Sequence, residues 1–186
     1  MIREICRERG SRLIELGTDF DVVYRPPREL DRADACGEID FEDRSGADAY
    51  GLESASIALV GLHQARNAAV ALAAIGELRR QEWQLDEEAV RTGLSVARCP
   101  ARVELLSRRP AIVVDGAHNA ASMEALVATL RDSFAPSRKI LVFATTQEKD
   151  IRGMVAAVVP HFDEIVLTRY QHNPRAVPPC ELAEIV

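Results

Sequence analysis

The chain has 186 residues, 47% of them hydrophobic and 28% charged, with a formal net charge of −6. That length supports one to two domains, and the acidic balance excludes the clustered Lys/Arg signature of a nucleic-acid surface. No stretch approaches the roughly 20 apolar residues of a membrane span, and MIREICRERG lacks the apolar core of a signal peptide.

Residues 2–9 read as the end of a helix, with Gly10 placed to close it. Residues 12–16 and 20–24 cluster apolar side chains and predict short strands. The polar stretch 25–50, punctuated by Pro and Gly, predicts loops around a short strand near 38–41. Residues 56–60 predict another strand. In HQARNAAVALAAIGELRR, Ala65, Ala68, Leu72 and Ile75 recur at spacings of three and four and form one apolar stripe of a helix. Asp86 is placed to cap a second helix running to about Val96, with Glu87 and Glu88 in its first turn.

From Cys99 the texture changes to strand–helix alternation, and a domain boundary is expected at 98–100. Residues 103–107 predict a strand, and AIVVD at 111–115 is an apolar, β-branched run of the kind buried in parallel sheets. A helix over 120–134 follows, with Met123, Leu126, Val127, Leu130 and Phe134 on one face. Next come a strand at 139–144, a helix at 151–159 stopped by Pro160, and a strand at 164–168. This order predicts βαβ units and a parallel sheet, hence an α/β fold. Both ends read as cut: Met1 opens inside helix-like sequence, and the helix introduced by Pro178-Pro179 stops after about one turn. The four cysteines (Cys6, Cys36, Cys99, Cys180) form no CxxC pair and read as free thiols of a cytoplasmic protein, with no metal site.

Four short stretches could carry chemistry. In Asp115-Gly116-Ala117-His118-Asn119 a strand delivers an Asp to its C-terminal end, a Gly turn follows, and a His-Asn pair opens a helix. Open α/β sheets bind ligands outside the carboxyl ends of strands, near helix N-termini. There Asp115 can accept from ribose hydroxyls, and His118 can meet a phosphate or a developing negative charge. The plainer reading makes Asn119 a helix cap, Asp115 an acceptor of loop N–H groups and His118 a surface residue. In Gly61-Leu62-His63-Gln64-Ala65-Arg66-Asn67-Ala68, the Asn67 amide can pair with both edges of adenine, or the polar residues simply cap a packed helix. Arg102, in Pro100-Ala101-Arg102-Val103-Glu104, suits bidentate phosphate contact or is solvated. Lys149, in Glu148-Lys149-Asp150, sits at a helix start where it could meet an anion; it is otherwise a loop charge.

In this order the four stretches resemble the folylpolyglutamate/dihydrofolate synthases of the Mur ligase superfamily. That family carries G-x-H-Q-x-x-N-A, then P-G-R-x-E, then D-G-A-H-N and a downstream K-D. Leu16-Gly17 with Asp19-Phe20, and Asn173-Pro174-Arg175-Ala176, extend the likeness over nearly all of the chain. Two departures stand out: Ala101 replaces the usual Gly before the Arg, and Ala120 replaces a common Pro. The peptidoglycan-type Mur ligases are the nearest alternative, and a non-catalytic nucleotide-binding module is an alternative of another class; His63-Gln64 and the full D-G-A-H-N string favour the folate branch.

The resemblance implies a fold in which residues 1–98 are the C-terminal part of the central ATP-binding domain. Residues 99–186 would then be an incomplete Rossmann-like C-terminal domain. It implies ATP-driven joining of L-glutamate to dihydropteroate or folate through an acyl phosphate, in a monomeric parent enzyme. By the same resemblance Asn67 contacts adenine, Arg102 the phosphates and Asp115 the ribose, while His118 sits by the phosphates or the reacting centre as a catalytic group. Magnesium ligands are expected upstream of Met1. No G-x-x-x-x-G-K-[ST] loop occurs in the chain, so the chain by itself is expected to be inactive.

Overall fold

The computed structural model describes residues 1–44 and 50–186; the part of the expected 25–50 loop that falls on 45–49 lies outside the described residues. The chain divides into two compact units, one of Met1–Pro26 with Cys36–Arg98, the other of Pro27–Ala35 with Cys99–Val186. The excursion Pro27–Ala35, which chain order alone leaves with the first unit, is tied into the second. Leu30 N–H donates to the Ser133 carbonyl at 2.9 Å, and Ala135 N–H to Asp31 Oδ1 at 3.2 Å.

The first unit opens with α1 (Ile2–Arg9), closed by Gly10 at φ 63° while Ser11 N–H donates to the Cys6 carbonyl at 2.9 Å. Three strands follow, β1 (Phe20–Arg25), β2 (Gly37–Asp43) and β3 (Gly51–Ile57), forming an antiparallel sheet in the order β1-β2-β3. The apolar stripe of α2 (Leu62–Arg80) lies on that sheet. Ala65, Ala69 and Leu72 join Phe20, Ile39, Phe41, Leu52 and Ile57 in one buried cluster. Helix α3 (Glu87–Val96) is joined to the end of β3 where Ala58 N–H donates to the Leu94 carbonyl.

Three expectations change here. Residues 12–16 form no strand; Leu16 makes only an isolated bridge to Phe20. The Glu15 N–H is taken by Asp19 Oδ2 at 2.8 Å and its carbonyl by the Thr18 and Asp19 N–H groups, so a turn consumes the groups a ladder needs. The strand read at 56–60 lies at Gly51–Ile57. Asp86 occupies the cap position of α3, but its side chain makes no capping bond.

The second unit contains β4 (Glu104–Arg108), β5 (Ala111–Val114), α4 (Ala120–Ser133), β6 (Ile140–Phe143), α5 (Ile151–Val158), β7 (Glu164–Leu167) and α6 (Pro179–Ala183). A 3-10 turn at Val159–His161 carries Pro160 beyond α5. Met123, Phe143, Met154, Val155, Val158, Val177 and Leu182 form its core. Strands β6 and β7 pair in parallel, as strand–helix–strand order predicts. The AIVV run does not: β5 pairs antiparallel with β4, and Ala111, Ile112 and Val114 are exposed. The connection between β4 and β5 spans only Arg109-Pro110, too short for a parallel crossover, and a composition rule for buried strands carries no information about that partner. Among the described residues, no helix is long and apolar enough to cross a membrane.

Candidate functional site

Arg102, Asp115 and His118 of the second unit meet at the loop after β5, whereas Lys149 stands apart at the start of α5. Gly116 N–H donates to the Ala101 carbonyl at 2.8 Å, which joins the D-G-A-H-N loop to the segment entering β4. Asp115 completes the joint. Its Oδ2 accepts from Val103 N–H at 2.8 Å and its Oδ1 from Ala117 N–H at 2.7 Å. The half-buried Asp115 carboxylate thus satisfies loop amides on both oxygens, as the plainer sequence reading has it. Each oxygen keeps a further lone pair, since a carboxylate offers about four acceptor sites.

Between these bonds the backbone is strained. Ala101 stands at φ 55° and Val103 at φ 47°, a left-handed region that disfavours residues with a Cβ and most of all a β-branched one. Such residues cost about 1–3 kcal/mol each and persist only where their surroundings over-determine them. Here Val103 is buried, its N–H is held by Asp115, and Ala101 N–H donates to Glu104 Oε2 at 2.9 Å. Ala101 is also the position where the resembled family has Gly, so the substitution falls where Gly would be unstrained.

Arg102 lies between the two left-handed residues. Its guanidinium rests over Gly116: a Cβ built there would fall 2.7 Å from Arg102 Nη1. The same group approaches the Ala101 carbonyl at 3.4 Å, and no carboxylate lies within ion-pair distance among the described residues. On the carbonyl side of the same glycine, His118 Nδ1 lies 3.0 Å from the Gly116 oxygen. A carbonyl can only accept, so Nδ1 carries the proton in this contact, leaving Nε2 on the exposed ring to accept or, as imidazolium, to donate. Gly116 therefore seats a guanidinium with no ion-pair partner among the described residues and an imidazole whose Nε2 donates to phosphate oxygens only when it carries a proton.

The start of α4 is already occupied. Asn119 is its N-cap, with Oδ1 accepting from Ser122 N–H at 2.8 Å, while Ser122 Oγ accepts from Asn119 N–H at 3.1 Å and His118 N–H at 3.0 Å. Sequence reasoning found Asn119 but missed Ser122; the N-x-x-S spacing was the available signal. The sequence also passed over Glu104 as a holder of the turn, although its place two residues after Arg102 was visible.

Asn67 belongs to the first unit, on the exposed side of α2. Its Nδ2 donates to the buried Gln64 Oε1 at 3.3 Å, leaving its carbonyl oxygen without a partner among the described residues. The start of α2 is fixed by Gly61, at φ 111°, whose N–H donates to Tyr24 Oη at 2.9 Å. Gly37 makes room for that tyrosine, since a Cβ there would lie 2.8 Å from Tyr24 Cε2. Lys149 is exposed, and Asp150 beside it is the α5 cap, accepting from Gly153 N–H at 2.9 Å. Among the described residues no three His, Cys, Asp or Glu side chains gather as a metal-ligand set.

The chain is similar to known proteins along most of its length. The Mur ligase, glutamate ligase domain model matches residues 101–186. The dihydrofolate synthase/folylpolyglutamate synthase of Mycobacterium tuberculosis is 37% identical over 121 residues, 64% of this chain and 25% of that protein. The folylpolyglutamate synthase of Lacticaseibacillus casei is 34% identical over 172 residues, 91% of this chain and 37% of that protein. The structure of Mycobacterium tuberculosis folylpolyglutamate synthase complexed with ADP superposes with a TM-score of 0.84 at 28% identity, covering 99% of this chain and 38% of that one. The chain thus spans a quarter to two fifths of the length of these relatives.

Proposed function

We propose, for a chain that belongs to the folylpolyglutamate synthase/dihydrofolate synthase branch of the Mur ligases, that it supplies nucleotide-facing side chains to an ATP-dependent ligase joining L-glutamate to dihydropteroate or folate. On this reading residues 1–98, apart from the Pro27–Ala35 excursion that packs with the second unit, are the end of the central ATP-binding domain, and 99–186 are the Rossmann-like C-terminal domain. The observation that carries it is the seating of Arg102 and His118 on the two sides of Gly116.

In such a reaction the substrate carboxylate attacks the γ-phosphorus of ATP, breaking its bond to the bridging oxygen and releasing ADP. The glutamate amine then attacks the acyl phosphate, loses a proton and expels phosphate. Charge gathers on phosphoryl oxygens in the first step, and fixed donors facing it stabilise the transition state. Arg102 contributes a permanent cation, and His118, held by its Nδ1–H, presents Nε2 to the phosphates or the reacting centre. Asp115 accepts from ribose hydroxyls on its remaining lone pairs, and the Asn67 amide meets adenine. Magnesium would neutralise phosphate charge in this chemistry; among the described residues no three His, Cys, Asp or Glu side chains gather to hold it.

Calorimetric titration of the chain with ATP tests the reading. Arg102→Ala should weaken binding at least about tenfold, the scale of a charge-assisted hydrogen bond. Unchanged affinity would remove Arg102 from the site. Incubated with ATP, magnesium, dihydropteroate and glutamate, the chain alone should release no glutamate-dependent ADP, because it carries no G-x-x-x-x-G-K-[ST] loop; such release would overturn that expectation.

A further inference from the structure

We propose that Glu104 is a positioning residue, whose carboxylate holds the left-handed turn at Ala101–Val103 and so aims the Arg102 guanidinium over Gly116. The consequence for nucleotide binding rests on reading Arg102 as a phosphate contact.

Glu104 opens β4 and pairs in register with Val114, so its own backbone is fixed by the hairpin. From there its side chain reaches back three residues to accept the Ala101 N–H at 2.9 Å. That bond bears on a residue the chain would otherwise leave in a right-handed or extended conformation, because Ala101 at φ 55° carries a Cβ. Asp115 holds the other end of the turn through Val103 N–H, and Gly116 N–H holds the middle through the Ala101 carbonyl. Remove the Glu104 acceptor and, among the described residues, Ala101 keeps only the bonds at its carbonyl, from Gly116 N–H and the Arg102 guanidinium, to hold it left-handed. Its relaxation rotates the peptide plane that leads into Arg102, and the guanidinium leaves its seat. A glutamate is suited to this task because an ionised carboxylate makes a stronger bond to a backbone N–H than a neutral acceptor does, strong enough to oppose the local strain.

The test uses Glu104→Ala, Glu104→Asp and Glu104→Gln in the full chain, alone and with Arg102→Ala. Two quantities are read: the NMR signature of a left-handed Ala101, its close intraresidue Hα–HN contact, and the affinities for ATP and for adenosine. Glu104→Ala, and Glu104→Asp with its shorter reach, should lose the left-handed signature. They should weaken ATP about tenfold with adenosine unchanged, whereas a merely structural role would weaken both ligands together. Glu104→Gln should keep more of the turn and of the ATP affinity than Glu104→Ala, since its amide oxygen still accepts, but less than the parent, whose carboxylate bonds more strongly. In the Arg102→Ala background Glu104→Ala should cost nothing more, because a residue acting through Arg102 has no effect once Arg102 is gone.

The proposal is overturned if Glu104→Ala and Glu104→Asp keep the turn, or if the ATP loss persists undiminished beside Arg102→Ala. Should the unsubstituted chain bind no ATP, the phosphate reading of Arg102 fails on its own. The turn signature of the three Glu104 variants still decides the positioning claim.

Discussion

Single side chains in this molecule show how much depends on where a polar atom ends up. Tyr50 packs its ring between Phe41, at 6.1 Å between centroids, and the Arg79 guanidinium carbon, 4.1 Å from the ring centre. Its hydroxyl is buried and has no hydrogen-bond partner among the described residues. An unmade bond of that kind costs more than a made one contributes, so Tyr50→Phe should raise stability by about 1 kcal/mol, measured by urea unfolding at neutral pH. Burial pushes the phenol pKa up from 10.0, with the Arg79 charge opposing part of the rise. On raising the pH, the unfolded chain therefore loses its proton first, near 10, and the native state loses stability from there until the raised native value is passed. Below that window the tyrosine adds no slope. The phenylalanine variant has no such group, so its advantage over the parent should widen above pH 10 and stay constant below pH 9. An advantage that shrinks with alkali would contradict the assignment.

At the scale of elements, α4 shows a cap that also serves the site. Ser122 Oγ accepts from both Asn119 N–H and His118 N–H, so one hydroxyl closes the helix and holds the backbone of the histidine. Ser122→Ala should cost about 1 kcal/mol in thermal unfolding, the usual value of a lost cap, and should speed amide exchange at His118 and Asn119. A loss of stability without faster exchange at His118 would separate the two roles. The helices were legible because Leu72 on α2 and Met123 and Leu126 on α4 fall on stripes that a 3.6-residue period makes visible. Strand β3 was not, because its inward residues Leu52, Ala55 and Ile57 do not alternate. The register slips between Ile39 and Phe41 of its partner, and a bulge inserts a residue that breaks the period of two. The site divides the same way. Arg102, Asp115 and His118 could be named from local spacing. That Asp115 holds Val103, and that Gly116 seats Arg102, depends on contacts more than ten residues apart that spacing does not encode.

Across the whole molecule, the distribution of apolar side chains separates what holds each unit from what does not. In the second unit the β6–β7 pair turns Leu141, Phe143, Ile165 and Leu167 toward the core that includes Met154 and Val158. The alternate positions Ile140, Val142 and Val166 are 51%, 66% and 42% exposed. Parallel strands are ordinarily covered on both faces and read as apolar throughout, which is how these strands were recognisable without any sign of which face is open. The two faces should respond to substitution by very different amounts. Met154→Ala removes a fully buried side chain and should destabilise by about 2–5 kcal/mol. Val142→Thr keeps the β-branched shape on an exposed position and should change stability by no more than about 0.5 kcal/mol. It should nevertheless lower the binding of a hydrophobic dye such as ANS to the native chain, because it replaces a methyl with a hydroxyl in the centre of the open face. If Val142→Thr instead destabilised as Met154→Ala does, Val142 would be packed in solution and the face would not be open to solvent. Unchanged dye binding with unchanged stability would place the dye's site elsewhere on the chain.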